Sequence, residues 1–122
     1  MTRGRATVRR IYDPPTAAEG YRVLVDRLWP RGVKREPGLF DDWLKDAAPT
    51  TELRRWYGHD PARYATFARR YRAELDREPA SDAVAALRRR VARGRVTLLT
   101  ATKDVDRSGA RVLADVVNGD AP

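Results

Sequence analysis

Residues 23–32 read Val23-Leu24-Val25-Asp26-Arg27-Leu28-Trp29-Pro30-Arg31-Gly32. The first three are the aliphatic, β-branched run of a central strand buried on both faces. The run breaks into a charged pair, an aromatic ring and a Pro-Arg-Gly turn. In an open α/β sheet, ligands sit in the crevice beyond the carboxyl ends of the strands. Asp26, Arg27 and Trp29 therefore mark a candidate binding site, although the same charges would also serve as ion pairs at a strand end.

Working outward, residues 6–12 make a plausible first strand, closed by Asp13-Pro14-Pro15. The second strand spans 21–27. Pro30, Gly32, Pro37 and Gly38 mark a loop, and Leu39, Trp43 and Leu44 suggest a short helix at about 39–46. Thr50-Thr51-Glu52, after Pro49, supplies a hydroxyl cap and an acidic first turn for a helix that buries Leu53, Trp56 and Tyr57 and stops at Gly58. Asp60-Pro61 opens the next, whose face is Tyr64, Phe67, Ala68, Tyr71 and Leu75. A further helix is expected from a Ser81 cap to Gly94. A buried third strand follows at Val96–Thr100, and a last helix starts at about Ser108.

Helices between the second and third strands imply that these two are parallel neighbours. The link between the first two strands is about eight residues, short for a right-handed crossover. Either one helix has been cut to a turn, or the first pair is antiparallel. The expected fold is α/β: one small domain over 1–122, core about 6–117 and both ends frayed, with a mostly parallel sheet of about three strands flanked by helices.

The chain has 122 residues and no cysteine, which removes disulfides, zinc–thiolate sites and thiol nucleophiles. One histidine and scattered carboxylates show no metal-ligand spacing. The segment Met-Thr-Arg-Gly-Arg lacks the apolar run of a signal peptide, and no stretch reaches membrane-spanning length, so the cytoplasm is expected and no membrane partner. The net charge of +8 suggests polyanion binding. All but three of the 25 basic residues are arginine, spread along helix surfaces beside alanines. Arg88-Arg89-Arg90 falls on a helix whose successive residues diverge, so it is not expected to form one patch. Specific nucleic-acid binding is accordingly not expected.

Two buried strands end in charge, Asp26-Arg27 and Lys103-Asp104. Parallel pairing would bring these ends, with Arg31, to one edge of the sheet. Arginine's planar fork suits a carboxylate or phosphate, and lysine adds a point charge. His59 lies between a helix stop and a helix cap, a position suited to a general acid or base. Trp29 could wall such a pocket, whereas Trp43 and Trp56 fall on apolar helical faces and read as core. No phosphate loop, nucleotide fingerprint or Gly-x-Ser-x-Gly elbow occurs, so no cofactor is expected. Ser81 and Ser108 read as helix caps.

Arg10-Ile-Tyr-Asp-Pro, the stretch from Gly20 to Gly32, Trp43-Leu-Lys-Asp, the stretch from Glu52 to Pro61, and Val96-Thr-Leu-Leu together resemble the DUF488 family, within it the small bacterial YeaO-like subgroup. The resemblance spans about residues 8–117. It implies a small cytoplasmic α/β protein, a crossover cut to a turn, and no established reaction. The recurrent polar positions that match are Asp26, Arg27, Arg31, Lys45, His59, Asp60, Lys103 and Asp104. Subgroup members often carry an aromatic residue or cysteine where Thr100 stands, and His-Asn where Arg107-Ser108 stands. A thiol mechanism and a second histidine are thus lost here.

Three readings follow. The first is an enzyme or binding protein for a small anion, with Asp26 and His59 as acid–base candidates and Arg27, Trp29, Arg31, Lys45, Lys103 and Asp104 as ligand contacts. The second is a nucleic-acid-associated or regulatory module. The third is an interaction protein that forms a homodimer through the aromatic helix face.

Overall fold

A computed structural model describes residues 5–121. Four strands, β1 (Ala6–Arg10), β2 (Tyr21–Leu24), β3 (Asp42–Trp43) and β4 (Val96–Thr100), form one parallel sheet in the order β1-β4-β2-β3. The central pair follows from composition. Val23, Leu24 and every residue of β4 are buried, as aliphatic strands covered on both faces must be. Leu24 sits opposite Leu99, and Val23 opposite Leu98.

β1 pairs with β4 and not with β2, which removes the antiparallel alternative. The crossover that would normally hold a helix is a single 3-10 turn at Ala17–Glu19. Gly20 follows it with φ 68° and ψ −133°, backbone that essentially only glycine adopts. A Cβ there would lie 2.2 Å from the Arg95 carbonyl oxygen, which accepts the Tyr21 N–H at 3.0 Å. The close approach lets so short a connection span the width of β4.

β3 replaces the helix expected at 39–46. The Asp41 N–H donates to Arg22 O at 2.8 Å and the Leu44 N–H to Leu24 O at 2.9 Å, so pairing along β2 satisfies backbone that a single helical turn would leave open. The Leu39–Trp43 spacing mimics a helical stripe. In fact these side chains, with Phe40 and Val33, cover Ile11, Leu24 and Leu99 on one face of the sheet.

The other face carries the main core and all four helices: α1 (Thr51–Tyr57), α2 (Tyr64–Leu75), α3 (Ala80–Val91) and α4 (Gly109–Asn118). Three helix boundaries lie where the sequence puts them. Thr50 accepts the Leu53 N–H, Gly58 closes α1 in the left-handed conformation, and Ser108 accepts the Arg111 N–H. Ser81 is different: α3 begins at Ala80, so Ser81 lies inside the helix and caps nothing. Phe67, Tyr71 and Leu75 of α2 are buried in the core. Tyr64 and Ala68 on the same face are half-buried.

Near the ends, the Asn118 side chain makes two 2.9 Å bonds to the backbone of Ala6, and Arg5 pairs with Asp120 at 2.9 Å. Fraying expected at residues 1–4 and 122 lies outside the described residues. No helix in the described residues is long and apolar enough to cross a membrane.

Candidate functional site

Asp26 lies two residues past the end of β2 and joins three strands at their carboxyl ends. One carboxylate oxygen accepts the Thr100 hydroxyl and the other the Ala101 N–H, each at 2.7 Å. Its carbonyl accepts the Trp43 indole N–H, also at 2.7 Å. Burial raises the Asp26 carboxyl above the ordinary carboxylate value. The two hydrogen bonds and the nearby His59 only partly offset that effect.

A carboxyl raised on folding binds its proton more tightly in the native state than in the unfolded chain. Native stability is then lost as pH rises from the unfolded carboxylate value through the folded one. Asparagine at this position can accept from Ala101 N–H and donate to the Thr100 hydroxyl without ever ionising. The stability of Asp26→Asn relative to the native chain should therefore improve with pH across that window and level off above it. Urea melts at stepped pH check this; a constant difference would contradict it.

The strand ends floor a cleft of about 680 Å³. Asp26, Arg27, Trp29, Arg31, His59, Lys103 and Asp104 all line it. Arg27 is half-buried and anchored, its guanidinium donating to Pro49 O at 3.3 Å and Ala48 O at 3.2 Å. Arg31 and Lys103 are exposed. Among the described residues, none of these three cations has a carboxylate within 4.0 Å, and neither does Arg54, which also lines the cleft. Asp104, by contrast, is paired with Arg107 at 3.1 Å. Four cations without a carboxylate partner, set against Asp26, leave the uncompensated charge here positive.

His59 stands on the rim in left-handed backbone, φ 58°, directly after Gly58 at φ 55°. A non-glycine residue in that conformation is uncommon, though histidine tolerates it better than most. It is held there because Gly58 ends α1 and the Asp60 carboxylate accepts the Ala62 N–H to start the next turn. Its ring tilts against Tyr57, with centroids 6.1 Å apart.

Trp29 is half-buried and fixed, its indole N–H donating to Val33 O at 2.7 Å and its ring meeting Trp43 edge-on. Lys45 is not brought to the cleft; its ammonium lies 4.2 Å from the centroid of the Trp43 ring. Trp43 and Trp56 are only half-buried. Trp56 forms an outer wall flanked by Arg63 and Arg70, and not deep core.

The cleft also contains residues that no sequence pattern singled out. Arg54 precedes Tyr57 by three positions, so helical spacing alone places both on one side of α1. Tyr12 and Leu28 reach the cleft only through tertiary structure, and no local pattern marks them. Gly109, at the start of α4, packs against Pro49 so closely that a Cβ would come within 3.3 Å of its ring. Among the described residues, no group of three or more His, Cys, Asp or Glu side chains is arranged to hold a metal ion.

The arginines at and just beyond the end of α3 do not diverge as completely as expected. Arg89, Arg90 and Arg93 line one groove of about 310 Å³ together with Tyr21, over which the Arg90 guanidinium lies at 3.9 Å. Arg89 and Arg90 sit in the last turn of α3, and Arg93 lies in the turn that follows it.

A small parallel α/β sheet with a polar cleft at its carboxyl edge defines the general class. The chain belongs to the DUF488-N3i family, described as the inactive DUF488-N3 subclade, whose model matches residues 5–121. It is 46% identical over 115 residues to an uncharacterized protein of Mycobacterium tuberculosis strain H37Rv, covering 94% of this chain and 95% of that protein. It is 41% identical over 108 residues to the uncharacterized protein YeaO of Escherichia coli K12, covering 88% and 91%. No solved structure matches it.

Proposed function

We propose that the chain is a binding protein for a small anionic molecule, held in the cleft at the carboxyl ends of β2 and β4. The observation that carries this reading is the convergence of Arg27, Arg31, Arg54 and Lys103 on one cleft with no carboxylate partner among the described residues. Unpaired cations facing a shared concavity favour an anion by charge and by fork geometry. Arg27 is pre-set by its two carbonyl bonds, so little side-chain freedom is lost when an acidic group reaches it. Lys103 and Arg31 approach from the loops after β4 and β2. Asp26 and His59 flank the acidic group, and Trp29 backs the loop.

Binding is favoured over turnover on two grounds. Both oxygens of Asp26 are already engaged in holding the strand ends together. The family is also described as an inactive subclade. Isothermal titration with inorganic phosphate and with sulfate, at physiological ionic strength, tests the reading. One saturable site is expected; absence of binding, or binding that physiological salt abolishes, would refute it.

A second reading, a nucleic-acid-associated module, has one observation in its favour: the groove lined by Arg89, Arg90 and Arg93. Its signature is affinity for single-stranded oligonucleotide that falls steeply with salt. Arg89→Ala with Arg93→Ala would weaken that affinity while leaving phosphate binding in the cleft unchanged.

A further inference from the structure

Large apolar side chains are exposed at two places among the described residues, Tyr12 at 44% and Leu28 at 61%, and both line the same cleft. Scattered exposed apolar groups need no explanation. Two such groups from separate segments, lining one cleft together with unpaired cations, are a different matter. We propose that the ligand is an organic anion with an apolar, ring-sized body: its acidic head on Arg27, Arg31 and Lys103, its body against Tyr12 and Leu28. This rests on the anion-binding reading above and adds the other half of the ligand to it.

The apolar wall is built in advance of any ligand. The Tyr12 hydroxyl donates to Arg31 O at 2.7 Å, and the Arg10 guanidinium lies 4.8 Å from the centroid of its ring. An exposed ring held at two points loses little freedom on contact with a ligand. The bond to Arg31 O also couples the wall to the backbone that carries one of the cations. Leu28 lines the same cleft from backbone fixed on either side, by the Asp26 bonds and by the Trp29 indole.

Size points the same way. The cleft volume of about 680 Å³ falls in the range that accommodates whole organic ligands. Inorganic phosphate would leave most of that space to water and both apolar side chains wet. A ring attached to the acidic head would displace water from Tyr12 and Leu28, and the burial would appear as affinity.

The test compares phenyl phosphate with inorganic phosphate on the full chain and on Leu28→Ser, a substitution at an exposed position that leaves the fold intact. In the native chain, phenyl phosphate should bind about tenfold more tightly or better. In Leu28→Ser that advantage should shrink by about threefold or more, with the inorganic phosphate affinity unchanged. If inorganic phosphate binds but phenyl phosphate binds no tighter, or if Leu28→Ser keeps the full advantage, the apolar half of the site is refuted and the anion reading stands. If neither compound binds, both fall.

Discussion

Gly20→Ala should destabilise the fold by on the order of 3–5 kcal/mol, the largest effect expected of any single methyl group added to this chain. Two penalties combine. The backbone at φ 68° and ψ −133° is closed to a residue with a Cβ. The added carbon would also meet the Arg95 carbonyl oxygen at 2.2 Å. Relaxation is blocked because that carbonyl holds the first N–H of β2, and β2 is locked against β4 along its length. Moving Arg95 would disturb the two most buried strands together. Thermal melts of the purified variant check this, with Gly32→Ala as the control. Gly32 also has positive φ, but a Cβ there meets nothing within 4 Å, so its penalty is confined to backbone strain of about 1 kcal/mol. Equal losses at both positions would show that the close approach to Arg95 is not what the short crossover depends on.

Arg31→Ala combined with Lys103→Ala should lower the affinity for inorganic phosphate by about a hundredfold while shifting the melting temperature little. Both side chains are exposed and neither is in an ion pair within the described residues. Surface substitutions of this kind ordinarily change stability by about 0.5 kcal/mol or less. Arg27 is a poorer probe. Its removal would leave the Ala48 and Pro49 carbonyls without a donor, so Arg27→Ala mixes lost binding with a stability cost of about 1–3 kcal/mol. Retained affinity in the Arg31/Lys103 double variant would mean that the anion is held elsewhere.

Much of the sheet was legible because its signals are local. Val23–Val25 announced a doubly covered strand, and Val96–Thr100 another. Thr50, Gly58, Asp60 and Ser108 mark helix ends through hydrogen bonds made within a few residues. The strand at Asp42–Trp43 was not legible, because a two-residue edge strand is defined by a distant partner and Leu39–Trp43 imitates a helical stripe. The orientation of β1 depends on β4, which arrives between β1 and β2 from Val96–Thr100, far along the chain. At the cleft, Asp26, Arg27, Lys103 and Asp104 could be grouped because parallel pairing forces two strand ends to one edge. Lys45 entered through family resemblance, with no such geometric argument, and it lies instead on Trp43. Tyr12, Leu28 and the groove of Arg89, Arg90 and Arg93 needed the tertiary structure, since each depends on which segment arrives opposite.

A charged residue at a strand end can serve as an ion-pair partner or as a functional carboxyl. The geometry gives Asp26 a definite structural role, because it clamps β4 to β2 while its carbonyl receives β3 through Trp43. The same bonds set the floor against which the unpaired cations are arranged. The positive cleft and the strand-end clamp are thus consequences of one arrangement.

The most direct test is an amide chemical-shift map of the full chain titrated with inorganic phosphate at physiological ionic strength. The account predicts saturable shifts concentrated at Arg27, Arg31, His59, Lys103 and the first residues of α4, with little change along Arg88–Arg93. Shifts centred on Arg89, Arg90 and Arg93, or spread evenly over the surface arginines and removed by salt, would contradict it.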